Sequence, residues 1–315
     1  MITVPQPNKK IVDEYFDIVK VELTNQLEKV SEKGYREGTV KVLPDELESS
    51  FLKRISNEKL LKLIVTSLPE DLPIVIAKFQ SYSPTITSRT DSLNRFLHRV
   101  FVKRIYDVTK KFDKHKFVNY HENSTCSYCN RNYIFSLSKN SKLKPEIDHF
   151  YPKDKYPFLA LSFYNLIPSC QTCNGIGGKH NRDPLTKGIV SPYLVDDKDF
   201  EFDYILKPYR DSSPLYGLDV KLFLKKKVRG NNKAFKLNKL YKKHSDHLID
   251  LIVKSKLEYH KKYRASLKSY KGIKFKDSEI DRMIVGNYTE LEDLHKRPLS
   301  KMYRDISIKL GLIKV

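Results

Sequence analysis

All four cysteines of this chain of 315 residues fall in one stretch, as two CxxC pairs: Cys126 with Cys129, and Cys170 with Cys173. No other feature restricts the fold as strongly. A CxxC pair turns as a tight knuckle that presents two thiolates, and a tetrahedral Zn²⁺ needs four soft ligands approached from two directions. The pairs therefore predict a structural zinc site made of four thiolates. Unligated core thiols and two redox dithiols are the competing readings. Both are weakened because no cysteine lies elsewhere and because a reducing compartment disfavours disulfides. About forty residues separate the knuckles, more than many zinc ribbons use, so a functional insert is expected between them.

That insert carries Glu146-Ile147-Asp148-His149 and then Tyr164-Asn165-Leu166, and Asn174 follows the second pair directly. An Asp-His dipeptide alone says little, since a helix-capping aspartate beside a surface histidine reads the same way. Framed by two CxxC pairs at this spacing, the set resembles the HNH (His-Me finger) endonucleases over about sixty residues. Their ββα-metal core is often clamped by such a zinc site. Phosphodiester hydrolysis needs a base to deprotonate water and a cation to neutralise charge building on the phosphate and on the leaving 3′ oxygen. Neutral imidazole suits the first task near pH 7, which makes His149 the candidate general base. Asp148, on the opposite face of the strand, and Asn174 are candidate ligands for a catalytic Mg²⁺ or Mn²⁺. By resemblance, Asn165 is the middle residue of the motif and holds the loop that carries His149.

Many HNH proteins have histidine where this chain has Asn174. Asparagine offers a harder oxygen ligand, which favours Mg²⁺ over Zn²⁺ there. His180 is an alternative ligand, or a phosphate contact together with Lys179 and Arg182. The run Gly175-Ile-Gly-Gly-Lys179-His180 is not a P-loop, because GxxxxGK[ST] would need glycine at Cys173 and Ser or Thr at His180. Its glycines are expected to form a flexible turn near the substrate backbone.

A formal charge of +21 points to a polyanionic partner, of which nucleic acid is the commonest. With 40% apolar residues the chain can bury a core. The first ten residues are polar with two prolines and no apolar run approaches a membrane span, so a cytoplasmic protein with no membrane contact is expected.

The expected fold is α+β and mainly helical: an HNH core clamped by zinc, with helical flanks. Residues 1–115 read as a helical domain suited to docking a partner. They include an amphipathic helix over 9–32 built on Ile11, Tyr15, Ile18, Val19, Leu23, Leu27 and Val30, and a second helix over 49–67. A third, over 93–112, buries Phe96, Leu97, Val100, Phe101 and Ile105. Its other face carries Arg95, Arg99, Lys103, Arg104, Lys110 and Lys111, a pattern that suits either solvent or phosphates. Residues 116–190 are the nuclease module, with strands expected at Tyr133–Leu137 and Pro145–Phe150 and a short helix from Cys170. Residues 191–315 read as a few strands with turns at Pro208 and Pro214, then a long basic helix over Ala234–Leu267 that would hold phosphates without reading sequence.

The domain order resembles nucleases of bacterial anti-phage defence, including the HNH subunit of Septu-type systems. That resemblance implies an ABC-type ATPase as partner protein and a nucleic acid substrate, with DNA favoured and tRNA or other RNA open. A zinc-stabilised nucleic-acid-binding or scaffold protein that cuts nothing is the alternative.

Overall fold

In this computed structural model, residues 2–108, 110–141, 144–206, 217–257 and 259–314 are described. The turns expected at Pro208 and Pro214 lie outside them. The chain is mainly helical, and its buried apolar residues form one continuous core from Val4 to Ile313.

Helix α1 (Lys9–Lys33) starts where the Asn8 side chain accepts from the Lys10 amide, and it ends at Gly34. Gly34 has φ of 69°, and a Cβ there would lie 2.2 Å from the Val42 carbonyl oxygen, so no other residue fits. The inward stripe is Val12, Tyr15, Phe16, Val19, Leu23, Leu27 and Val30. Ile18, expected inside, is exposed, because at two residues from Phe16 it lies about 200° round the helix from that buried side chain. A small hairpin follows, β1 (Tyr35–Glu37) with β2 (Val40–Val42). The single helix expected over 49–67 is two: α2 (Glu46–Ile55), capped by Asp45, and α3 (Glu58–Thr66), where the Asn57 side chain caps a new start. Next come α4 (Leu72–Gln80) and α5 (Ser92–Leu97), which continues as a π-helix over His98–Tyr106. The last N-terminal helix is α6 (Lys114–Asn119).

Strand β3 (Glu146–His149) pairs antiparallel with β4 (Leu166–Ser169), in the register Asp148 to Ile167 and His149 to Leu166. This corrects the expected partner. Tyr133, Phe135 and Leu137 are half-exposed or more, and that segment makes only a Thr125–Tyr133 bridge among the described residues. Leu166–Ser169 is buried throughout, so it gains far more from pairing. The connection between β3 and β4 plunges into the helical body. Phe158 stacks on Phe79 of α4 at 3.9 Å between centroids, and Tyr15 of α1 donates to the Leu161 carbonyl at 2.9 Å. A one-turn helix, α7 (Gln171–Asn174), follows β4.

After α8 (Pro184–Lys187), strands β5 (Phe200–Leu206) and β6 (Leu218–Leu224) form a third antiparallel pair. The long helix expected over 234–267 is broken into α9 (Arg229–Phe235), α10 (Leu237–Tyr241), α11 (Asp246–Lys256) and α12 (Tyr259–Lys268). Lys236 between the first two has φ of 55°, a left-handed conformation that no helix continues through. Helices α13 (Asp277–Val285) and α14 (Ser300–Lys309) close the chain, and α14 packs on β5. No helix among the described residues is long and apolar enough to cross a membrane.

His121 is buried, with its ring stacked on Phe163 at 5.1 Å. Its Nδ1 faces the Phe117 carbonyl at 3.1 Å and its Nε2 faces the Tyr193 hydroxyl at 2.6 Å, an arrangement that suits the neutral ring. Burial pushes its pKa down to about 4. The unfolded chain takes up this proton near pH 6.5, so it binds more protons than the fold between those values and stability falls as the pH drops. Urea denaturation at pH 7 and pH 4.5 is expected to show wild type losing on the order of 3 kcal/mol more than His121→Leu across that window. Equal losses would remove His121 from the acid response.

Candidate active site and metal clamp

The four cysteine sulfurs are buried and lie within 4.8 Å of one another, with Cys129 and Cys170 at 3.9 Å. A tetrahedral zinc with Zn–S bonds of about 2.3 Å sets its sulfurs about 3.8 Å apart, whereas a disulfide needs about 2.05 Å. The cluster therefore fits zinc. Two amides point at sulfur, Arg131 N to Cys129 Sγ at 3.4 Å and Cys170 N to Cys126 Sγ at 3.3 Å, as thiolates require. Burial pushes the Cys126 thiol up, so a cation is what would make thiolates tolerable here. The first knuckle closes through Asn130, left-handed at φ 51°, whose amide donates to the Cys126 carbonyl at 2.8 Å. The clamp rests on the C-terminal helices: Tyr128 stacks on Phe235, and the Tyr241 hydroxyl donates to the Cys129 carbonyl at 2.6 Å.

Beside the clamp is a cavity of about 240 Å³ whose walls include Glu146, Asp148, His149, Lys153, Asn174 and His180. The sequence candidates Asp148, His149, Asn174 and His180 thus share one cavity, and Asn165 lies behind it. His149 is buried, and its Nε2 sits 3.1 Å from the Ala160 carbonyl oxygen. A carbonyl only accepts, so Nε2 carries the hydrogen. Burial, reinforced by the Lys153 charge, holds the ring well below the usual histidine range, and the neutral ring keeps its lone pair on Nδ1. Tyr106 packs edge-on against it at 4.5 Å. The Asn165 side chain is wholly buried. Its Oδ1 accepts from the Tyr151 amide at 2.6 Å, and its Nδ2 donates to the carbonyls of Tyr151 at 3.2 Å and Leu159 at 2.9 Å. Both ends of the loop after His149 are thereby fixed.

Asp148 is buried and doubly engaged. The Tyr128 hydroxyl donates to its Oδ2 at 2.5 Å, and Lys179 Nζ lies 3.3 Å from Oδ1 and 3.2 Å from Oδ2. Desolvation raises the Asp148 carboxyl, while Lys179 and Tyr128 oppose that rise. Lys179 itself is fully buried and also donates to the His149 carbonyl at 2.7 Å. This corrects its expected contact with phosphate. The glycine run is corrected as well: a Cβ at Gly178 would lie 2.1 Å from the Cys173 carbonyl oxygen, so Gly178 is there for close packing on the second knuckle rather than for a loose turn. The cations on the cavity rim are instead Lys114 and Lys153, each held over the Tyr106 ring, at 4.6 and 4.9 Å. On the outer wall, Asn174 Nδ2 donates to Glu146 Oε2 at 3.4 Å, and His180 is exposed with φ of 45°. Among the described residues, no group of three or more His, Cys, Asp or Glu side chains besides the cysteines is gathered closely enough to ligate an ion. The donors proper to Mg²⁺ or Mn²⁺, carboxylate and amide oxygens, do line this one cavity.

Over 87 residues the chain is 38% identical to the Septu protein PtuB of Bacillus thuringiensis. The match takes in 27% of this chain and 31% of that protein, so less than a third of the relative's length is spanned. No protein-family model matches the chain, and no solved structure does.

Sequence reasoning missed Glu146, Tyr128, Lys114 and Lys153 as parts of the site, and it set Lys179 against phosphate rather than against Asp148. A signal existed for Glu146, two residues before Asp148 and so on the same face of a strand. None announced the burial of Lys179 beside Asp148, because a lysine after glycines reads as solvated. Removing its charge strands the Asp148 carboxylate in the interior, and breaking a buried pair from one side costs about 3–5 kcal/mol. Thermal and urea denaturation of Lys179→Met should register a loss of that size, with much of it recovered in Lys179→Met combined with Asp148→Leu. Additive losses in the double variant would deny the coupling.

Proposed function

We propose that this protein is a metal-dependent endonuclease of the HNH type that hydrolyses phosphodiester bonds in nucleic acid and serves bacterial defence against phage. The observation that carries this reading is the state of His149: a neutral imidazole with Nε2–H committed to a backbone carbonyl, facing a cavity that also holds Asp148, Glu146 and Asn174. The partial similarity to a Septu protein supports the defence role. It also supports action in a defence complex, and the resemblance of the domain order implies an ABC-type ATPase as the second protein.

The roles follow from the geometry. His149 Nδ1 takes the proton of the attacking water, and the Ala160 carbonyl keeps the ring in the tautomer this requires. Asn165 fixes the backbone on which that carbonyl lies. Lys114 and Lys153 set positive charge beside the entering phosphate. Asp148 and Asn174, with Glu146 or His180 beside them, would hold Mg²⁺ or Mn²⁺. When bound, the ion supplies charge neutralisation at the phosphate and at the leaving oxygen. Binding without cutting is the competing reading, and it is favoured by one observation: Lys179 already neutralises Asp148.

Incubating the purified protein with supercoiled plasmid and, separately, with transfer RNA in Mg²⁺ or Mn²⁺ separates the two readings. Cutting of one polymer is expected, abolished by EDTA and reduced by about 10²-fold or more in His149→Ala. Cleavage by the variant at the wild-type rate would remove His149 from the mechanism. No cleavage of either polymer, alone or with a co-expressed partner, would favour the binding protein.

A further inference from the structure

A second cavity, of about 320 Å³, opens beside the first and includes Arg89, Arg95, His98, Arg99, Lys103 and Asp154 in its walls. Four cations line its walls; Lys103 pairs with Asp107, and Arg95 donates to the Thr90 carbonyl at 2.6 Å. Asp154 pairs with Arg89 and lies 3.4 Å from His98 Nε2, and its Oδ2 also accepts from Asn181 at 3.1 Å. His98 is pushed down by burial, so it adds little charge near neutrality. Arg95, Arg99 and Lys103 are carried on one helix, which is fixed from behind by buried Phe96, Leu97, Val100 and Phe101. Arg95, Arg99 and Lys103 recur every four residues where that helix passes from α to π winding, with Asp107 N donating to the Val102 carbonyl at 2.8 Å in the i→i+5 pattern. Such segments are common at functional sites. A concave surface lined by cations raises the local concentration of anions.

Two side-chain links join the walls of this cavity to those of the candidate active site. Lys103 pairs with one oxygen of Asp107 at 2.8 Å and Lys153 with the other at 3.1 Å, and Lys153 stands on the rim facing His149. Asn181, which holds Asp154, lines that same site. Basic side chains therefore stand on both sides of Asp107, with Arg95, Arg99 and Lys103 towards one cavity and Lys153 towards the other.

We propose that the Arg95–Arg99–Lys103 cavity is a second phosphate site, which grips the sugar-phosphate backbone of the nucleic acid a few nucleotides from the bond facing His149. The position of the cut rests on the nuclease reading, whereas the grip does not. Backbone contacts of this kind position a strand without reading its sequence, and each one releases counterions, so affinity falls with salt.

The test uses the full chain carrying His149→Ala and follows the anisotropy of labelled single-stranded DNA, duplex DNA and RNA at several salt concentrations. Adding Arg95→Ala and Arg99→Ala is expected to weaken binding about tenfold and to flatten the slope of log K against log salt by about 1 to 2. Lys29→Ala with Lys59→Ala removes equal charge from exposed positions far along the N-terminal helices, and it should leave both quantities unchanged. Unaltered affinity and slope in the arginine variant would overturn the proposal, as would an equal loss in the lysine control. Adenosine triphosphate is the second arm. If the arginine variant loses triphosphate binding while its affinity for strands stays intact, the cavity serves a free phosphate compound and the proposal fails. A wild-type chain that never cuts but loses its grip in the arginine variant would sink the nuclease reading alone.

Discussion

Four sulfurs from segments some forty residues apart meet within 4.8 Å, and the rest of the site inherits its geometry from that meeting. Cys126 and Cys129 bracket Tyr128, whose hydroxyl reaches Asp148. Cys170 sits at the end of β4, the strand that pairs with the one carrying Asp148 and His149. Cys173 is bonded through its carbonyl to the Lys179 amide, and Lys179 Nζ then contacts both Asp148 and the His149 backbone. Each ligand of the clamp is thus one or two contacts from the residues proposed to do chemistry. A hairpin of two four-residue strands has too little buried surface to hold such a geometry alone, so an ion that binds only the folded arrangement contributes folding free energy directly.

The second support is the helical body. The β3–β4 connection enters the core through Phe158 and Phe163 and is closed on itself by Asn165. This packing excludes water from one side of His149 and leaves the other side facing the cavity, which accounts for a neutral imidazole with one nitrogen committed and the other free to accept a proton. The same body supplies the cationic face of the α5 helix, so the elements that bury the loop also present positive charge next to it.

Much of the site was legible from residue types. Four thiols in two CxxC pairs allow few arrangements, and Asp148, His149 and Asn174, singled out by residue type, line one cavity. The strand partner was not legible. Tyr133–Leu137 alternates like a strand yet finds no core, while Leu166–Ser169 contains a proline and reads as a turn until its burial is known. The long C-terminal helix failed at Lys236, whose left-handed backbone no side-chain pattern announces. Lys179 was hidden for a deeper reason. A lysine is buried only when a carboxylate waits for it, and that partner lies 31 residues away in sequence.

Everything here depends on the cysteine cluster being a zinc site rather than a set of core thiols. X-ray absorption at the zinc edge, on protein purified without added metal, tests this most directly. The account predicts one zinc per chain with a shell of four sulfurs at about 2.3 Å and no nitrogen or oxygen neighbours. A folded protein free of zinc, or a first shell mixed with light atoms, would contradict it.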